Sequence, residues 1–172
     1  MLYCIQRCIK GWIKAMKYTS VNAISDFEFH DVELELNYWV DTSLSLKAKH
    51  LSIHKNTPQN PYESDMEIAE ALISFDGIDV HSYKVGGTQV YDDKHNLIQS
   101  TPDVIFHGNE AYEKLRDSLE DNGATVFDFG TRDGQEYYMD AHRNSLFYTI
   151  FFTFDKVTVE WEEYKGSAWY VE

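Results

Sequence analysis

The residues best suited to chemistry near the start of the chain are His30 and Asp31, which stand side by side in the stretch FEFHDVELEL, residues 27–36. An imidazole beside a carboxylate is typical of general acid–base pairs and of metal ligands. In a regular strand, however, adjacent side chains point to opposite faces of the sheet. His30 and Asp31 can therefore act together only where the strand is interrupted.

The alternation of apolar residues changes phase at His30 and again near His50. The runs at 27–40 and 44–53 predict one hairpin whose turn lies near residues 40–41, which places His30 opposite His50. A bulge, or a strand that passes from one layer to another, would explain both changes of phase. The apolar residues beyond the two changes of phase are then expected to pack together: Phe27, Phe29, Leu51 and Ile53.

Two histidines and an acid brought together in this way predict a metal site formed by His30, His50 and Asp31. The alternative is that His30 is a hydrogen-bonded histidine at a bend and that His50 is a surface residue. No other group of His and Cys residues has the spacing of a metal motif, so no cofactor is expected.

The C-terminal stretch VEWEEYKGSAWYVE mixes aromatic and acidic residues, a combination suited to binding a basic protein. The residues predicted to contact such a partner are Glu160, Trp161, Glu162, Glu163, Tyr164, Trp169 and Tyr170. The alternative is a terminal hairpin, with a tight turn at Lys165-Gly166, whose aromatic residues only close the core.

Charge is the strongest signal in the composition, with a formal net charge of −14. Four of the 15 basic residues lie in residues 1–17, which contain no acid, so the rest of the chain carries all 29 acidic residues. An acidic body repels a nucleic-acid backbone and favours a basic partner, although solubility alone also explains it. Both cysteines, Cys4 and Cys8, lie in the same short segment, and the absence of a disulfide framework predicts a cytoplasmic protein.

Residues 1–17 have the spacing of a basic amphipathic helix, with Trp12 on the apolar face. Three interpretations stay open. The helix docks on the body, or it lies on an anionic membrane surface, or residues 1–15 are an upstream extension of a reading frame that starts at Met16. The remainder, 18–172, is predicted to be a single β-rich domain.

The body alternates with the period of strands and is divided by turn signals at 40–43, at Asp76-Gly77, at 131–135 and at Lys165-Gly166. One helix is predicted at about 110–121, capped by Asn109 and ended by Asn122-Gly123. The stretch 145–154 is apolar at successive positions and predicts a strand covered on both faces. The fold class is α+β, mainly antiparallel β, as a sandwich or curled half-barrel of eight to ten short strands.

The segments FEFHD, LSIHKNTPQNP and EWEEYKGSAWY together resemble a set of small β-rich bacterial proteins. The resemblance covers roughly residues 16–172, and it implies a fold but no chemistry. In size, acidity and strand content the chain is also similar to immunity proteins of bacterial toxin systems, in character and not in motif.

These observations favour a non-enzymatic, acidic protein-binding module, of the immunity or antitoxin kind, that masks a basic partner. Two alternatives remain. One is a small-molecule- or metal-binding protein with a pocket near His30 and His50. The other is a membrane-peripheral protein that uses residues 1–17.

Overall fold

The computed structural model describes residues 16–120 and 123–171. One α-helix, α1, spans Asn109–Glu120, and a single turn of 3₁₀-helix spans Ile24–Asp26. The strands in chain order are β1 Tyr18–Val21, β2 Phe27–Glu28, β3 Glu33–Val40, β4 Ser43–Lys49, β5 Ser52–Ile53, β6 Met66–Ile68, β7 Ala71–Asp76, β8 Asp79–Val85, β9 Gln89–Tyr91, β10 Leu97–Ser100, β11 Val104–His107, β12 Ala124–Arg132, β13 Glu136–Arg143, β14 Leu146–Thr153, β15 Lys156–Trp161 and β16 Tyr164–Ser167.

The strands form three sheets, and the pairings within them are antiparallel. The main sheet has ten strands in the order β1-β15-β7-β4-β3-β12-β13-β14-β8-β11. A second sheet has the order β16-β6-β5-β2, and β9 and β10 form a separate pair. The predicted α+β, mainly antiparallel class is confirmed, whereas the choice between sandwich and half-barrel stays a prediction.

Two of the predicted turns connect paired strands. Asp41 has a φ of 51° at the turn between β3 and β4, which pair along their length. Asp133 and Gly134 have φ values of 54° and 76° at the turn between β12 and β13. Asp and Gly tolerate positive φ better than other residues, which is why these short sequences form hairpins here.

The turn signal at Asp76-Gly77 predicts a hairpin, but the strands that it joins, β7 and β8, do not pair with each other. The prediction is wrong because of the shape of the main sheet. β7 and β8 follow each other directly, yet they are the third and ninth strands across the sheet. In a flat sheet, six strand spacings would separate them by about 29 Å, whereas the link from Asp76 to Asp79 reaches about 11 Å at most. The main sheet must therefore bend back on itself. Gly77 has a φ of 67°, and a Cβ there would lie 2.1 Å from the Asp155 carboxylate.

The bend encloses one hydrophobic core between the two halves of the main sheet. Phe75 on β7 meets Phe152 on β14 edge to face, with ring centroids 5.9 Å apart. Helix α1 buries Ala111, Leu115 and Leu119 against this core. The helix begins one residue earlier than predicted, and its predicted last residue, 121, lies outside the described residues.

Other sequence predictions need correction. The described part of the chain has sixteen strands and not eight to ten, because strands of two to four residues are too short to show a hydrophobic period. β14 is buried on one face only, since Phe147 is 58% exposed. Lys165-Gly166 lies inside β16 and not at a turn. Met16 and Lys17 are not helical, and the rest of the predicted N-terminal helix lies outside the described residues.

Residues 86–103 extend the β8–β11 pair into a protruding hairpin, which we call the arm. The pairing of Val85 with Val104 continues in the same register to Gln89 opposite Ser100. Every residue of β9 and β10 is exposed. Of the helices in the part of the chain that the structure describes, none is long and apolar enough to cross a membrane.

Candidate functional site

The chain crosses from the main sheet to the second sheet at His30–Asp31 and at His50, as the two changes of phase predicted. Asp31 and His50 both adopt positive φ, 64° and 63°. Beyond them β2 pairs with β5, so that Phe27 lies directly opposite Ile53. The predicted passage of the hairpin between layers is confirmed, and so is the packing of its apolar residues in one core.

After the crossing, His30 and His50 contact different groups. His30 Nδ1 lies 2.7 Å from the carbonyl oxygen of Phe127, and its Nε2 lies 3.8 Å from Asp31 Oδ2. His50 Nδ1 donates to Glu67 Oε1 over 2.9 Å. Among the described residues, no group of three or more His, Cys, Asp and Glu side chains is arranged to hold a metal ion. The metal hypothesis for His30, Asp31 and His50 therefore stays a prediction without geometric support.

Two partly buried carboxylates, those of Glu67 and Asp65, link the elements of the second sheet. Glu67 Oε1 accepts from His50 and also from Lys165 Nζ over 2.8 Å. Burial alone would raise the pKa of Glu67, but the hydrogen bonds and positive charges of Lys165 and His50 outweigh it and hold the pKa below its ordinary value. His50 is thus part of an ion-pair network that joins β6 to β16.

Asp65 fastens the C-terminal segment in the same way. It accepts from the backbone N–H of Lys55 over 2.8 Å, from His54 Nδ1 over 3.2 Å and from the Tyr170 hydroxyl over 3.1 Å. Burial would raise the pKa of Asp65, but the Lys55 N–H and the two side chains together hold it below its ordinary value. This hydrogen bond holds Tyr170 against the second sheet.

The predicted partner-binding residues fall into two groups. Trp161 is fully buried, with its ring stacked on Tyr18 at 5.4 Å, and so cannot contact a partner. Tyr164 donates to the carbonyl of Gln59 and packs against the core. Trp169, by contrast, is 59% exposed and meets Tyr170 edge to face. Glu160 and Glu162 are half-buried and Glu163 is exposed.

Trp169 and Tyr170 meet His30 at a cleft of about 330 Å³, which we call the aromatic cleft. The ring centroids of His30 and Trp169 lie 6.1 Å apart. The residues that line the cleft are Glu28, His30, Phe127, Asp128, Trp169 and Tyr170. The fold thus joins His30, predicted as a metal ligand, to Trp169 and Tyr170, predicted as partner contacts, and it adds Phe127 and Asp128, which belong to neither predicted site.

The aromatic cleft opens at one corner of the outer face of β12, β13 and β14. On this face Phe127 stacks on His142 at 4.8 Å, and His142 stacks on the exposed Phe147 at 5.6 Å. Farther along, the guanidinium of Arg132 lies 4.8 Å from the centre of the Phe151 ring. We call this surface the outer face. It offers flat, partly exposed rings, which suit contact with another protein.

Two carboxylates lie directly opposite each other on the outer face. Asp128 on β12 pairs with Asp140 on β13, and like charges at opposed positions destabilise a sheet. Their hydrogen-bond donors are neutral, because Tyr138 donates to Asp128 over 2.8 Å and Thr149 donates to Asp140. The hydrogen bond to Asp128, with the negative charge of both carboxylates, raises the pKa of Tyr138. Within the described residues, no ion pair compensates either carboxylate.

On the corresponding surface of the other half of the main sheet, two carboxylates lie opposite lysines. Glu35 pairs with Lys47, and its carboxylate lies 3.0 Å from Lys49 Nζ. Asp76 pairs with Lys156 in the same manner. Opposite charges at opposed strand positions stabilise a sheet, so Glu35 and Asp76 each lie opposite a cation, unlike Asp128 and Asp140.

A second cluster on the outer face is centred on His81. Its Nδ1 lies 2.6 Å from Glu136 Oε1 and its Nε2 lies 3.2 Å from the Thr153 hydroxyl. A hydroxyl, an imidazole and a carboxylate in this order resemble the arrangement used in nucleophilic catalysis. Here His81 is the extra residue of a bulge between β8 and β14, and Glu136 also binds Arg132. The network holds the bulge in place.

No family model matches the chain, and no curated protein or solved structure is detectably similar to it. The resemblance to small β-rich bacterial proteins and to toxin-immunity proteins gains no support from these comparisons and stays an expectation.

Proposed function

We propose that this protein is a non-enzymatic binding module that covers a basic partner protein with the outer face and the aromatic cleft. The observation that carries the proposal is the opposed pair Asp128 and Asp140, which is uncompensated by any ion pair of the described residues. A sheet that keeps like charges face to face gives up stability. A cationic partner would remove that cost on binding, which is a reason for the pair to be there.

The surroundings of the pair favour a protein as the ligand. Exposed Phe147 and Trp169 lie at separate places on the same side of the molecule, joined by the Phe127–His142 stack. Aromatic side chains bordered by charges are the usual centres of binding energy at protein interfaces. The surface is open and extended, whereas small-molecule sites are concave and enclose most of their ligand.

The net charge of −14 supports a basic partner and a role in masking it. Opposite net charges accelerate association and make it sensitive to salt. The immunity or antitoxin kind of function fits this pattern and is part of the proposal. The membrane-peripheral alternative depends on residues 1–17, most of which lie outside the described residues, and no observation favours it over the basic partner.

The test is capture of partners from native lysate by the full chain, at low and moderate salt, with identification by mass spectrometry. A bait that carries Asp128→Asn and Asp140→Asn is compared with one that carries Glu110→Gln and Glu113→Gln on the exposed side of α1. Both baits lose two negative charges, but only the first changes the outer face.

We expect one or a few basic proteins on the wild-type bait and on the α1 control at low salt, and a clear loss at moderate salt and with the outer-face variant. Equal recovery by all three baits would contradict the proposal, because binding would then depend on total charge alone. Recovery of no basic protein under any condition would contradict it as well.

A further inference from the structure

We propose that the aromatic cleft is a pocket for one arginine side chain of the basic partner. This inference rests on the proposed function and names the chemical group that the site recognises.

The cleft is acidic, and the imidazole of His30 is the one basic group among the described residues that line it. Glu28 and Asp128 contribute carboxylates, and neither lysine nor arginine is among the lining residues. Glu28 Oε1 accepts the backbone N–H of His30 over 2.9 Å, and Asp128 accepts from the Phe129 N–H and from Tyr138. These donors are neutral, so neither carboxylate is in an ion pair with another described residue, and both can pair with a cation.

The walls are flat and aromatic. The rings of Trp169 and Tyr170 stand edge to face with their centroids 5.5 Å apart, and Phe127 of β12 also lines the cleft. Cations bind to the faces of aromatic rings, and tryptophan is the strongest of these partners. A guanidinium group is planar, so it can stack on a ring and donate two parallel hydrogen bonds to one carboxylate. An ammonium group is compact and lacks this geometry.

The tautomer of His30 gives the cleft a hydrogen-bond acceptor. Its Nδ1 lies 2.7 Å from the carbonyl oxygen of Phe127, and a carbonyl oxygen only accepts, so Nδ1 must carry the hydrogen. In the neutral ring the lone pair therefore belongs to Nε2. That nitrogen lies 3.8 Å from Asp31 Oδ2, and it can accept one of the five N–H groups of an arginine.

The test is a titration of the full chain with the blocked amino acid N-acetyl-arginine methylamide, followed by the NMR signal of the Trp169 indole N–H. Trp169→Phe identifies that signal among those of the four tryptophans. The citrulline analogue has the same shape without the charge, and the lysine analogue has the charge without the plane. Glu28→Gln with Asp128→Asn removes the acids of the cleft, and Glu110→Gln with Glu113→Gln is the matched control.

We expect saturable shifts with arginine, weaker shifts with lysine and none with citrulline. The double cleft variant should bind arginine about tenfold more weakly, the size of one lost charge-assisted hydrogen bond, and the α1 control should bind as the wild type does. Equal responses to arginine and citrulline, or to arginine and lysine, would overturn the inference. So would an arginine affinity that the cleft variant leaves unchanged.

The titration and the lysate capture can fail separately. If arginine does not bind but the outer-face variant still loses its basic partner, the proposed function stands and the pocket is wrong. If arginine binds in the cleft but no basic protein is captured, the cleft still recognises a guanidinium group, but the proposed function is wrong.

Discussion

At the scale of single residues, the proposed binding surface consists of side chains whose surroundings only the fold reveals. His30 was a candidate from its position beside Asp31, and the fold turns it towards Phe127 instead of His50. Asp128 and Asp140 were not singled out, although counting outwards from the Asp133-Gly134 turn places them opposite each other. The register of this hairpin therefore predicts that the two carboxylates lie opposite each other.

Asp140→Asn should raise the free energy of unfolding at neutral pH and low salt. The change removes one of two opposed negative charges, and the amide oxygen can still accept from Thr149. The expected gain is about 0.2–1 kcal/mol, the range for cross-strand pairs, and it should shrink as salt is added. Urea unfolding measures it, with the exposed Asp93→Asn as the control for charge alone. A loss of stability relative to that control would contradict the role given to the pair.

The two tryptophans near the C terminus should respond in opposite ways to truncation. Trp161→Ala removes a fully buried ring that packs on Tyr18 and Phe27, and should cost about 3–5 kcal/mol of unfolding free energy. Trp169→Ala removes a ring that is 59% exposed, and should change stability by about 0.5 kcal/mol or less. Similar costs for the two variants in urea unfolding would contradict the division of this segment into core and surface.

At the scale of elements, hairpins with short turns followed from local sequence, whereas the path of the main sheet did not. The Asp133-Gly134 turn and the turn after Val40 depend only on backbone conformations that those residues favour. The Asp76-Gly77 turn also contains a residue of positive φ, Gly77, but its strands pair with β4, β15, β14 and β11. Partner choice depends on the enclosed core, and local sequence does not encode that.

The carboxylates of Asp65 and Glu67 should make the protein sensitive to acid. Their pKa values are held below the ordinary range in the folded state, so each adds stability at a pH above its ordinary pKa of about 4. That stability is lost as the pH falls from about 4 through the lowered folded pKa. Asp65→Asn with Glu67→Gln should lower stability at neutral pH and flatten the decline at acid pH. Unfolding free energies measured from pH 7 to pH 2 test this, and an unchanged slope would contradict it.

The arm should be dispensable for folding. Its strands β9 and β10 are wholly exposed, and Thr101 N–H donates to the Thr88 carbonyl at the base over 2.9 Å. Replacing residues 89–100 with Asn-Gly would turn that hydrogen bond into the closing bond of a tight turn. We expect a melting temperature within about 4 °C of the wild type, which corresponds to roughly 1 kcal/mol for a chain of this size. A larger fall would show that the arm packs on the body.

At the scale of the whole molecule, the sequence predicted the β-rich class and the acidic surface, but not where the acid matters. Net charge treats all 29 acidic residues alike. The fold places Glu35 and Asp76 opposite lysines on one half of the main sheet, and it places Asp128 and Asp140 opposite each other on the outer face. Strand register decides which charged residues lie opposite each other. The outer face differs from the rest of the acidic surface because its register opposes two carboxylates.

The most direct measurement of the central claim is amide hydrogen exchange of the full chain with and without the basic protein that it captures. We predict slowed exchange on binding in β12, β13 and β14 and in the segments around His30 and Trp169, with little change in β1, β15, β7 and β4. Protection centred instead on those last four strands, or on α1, would contradict the assignment of the outer face as the partner's binding surface.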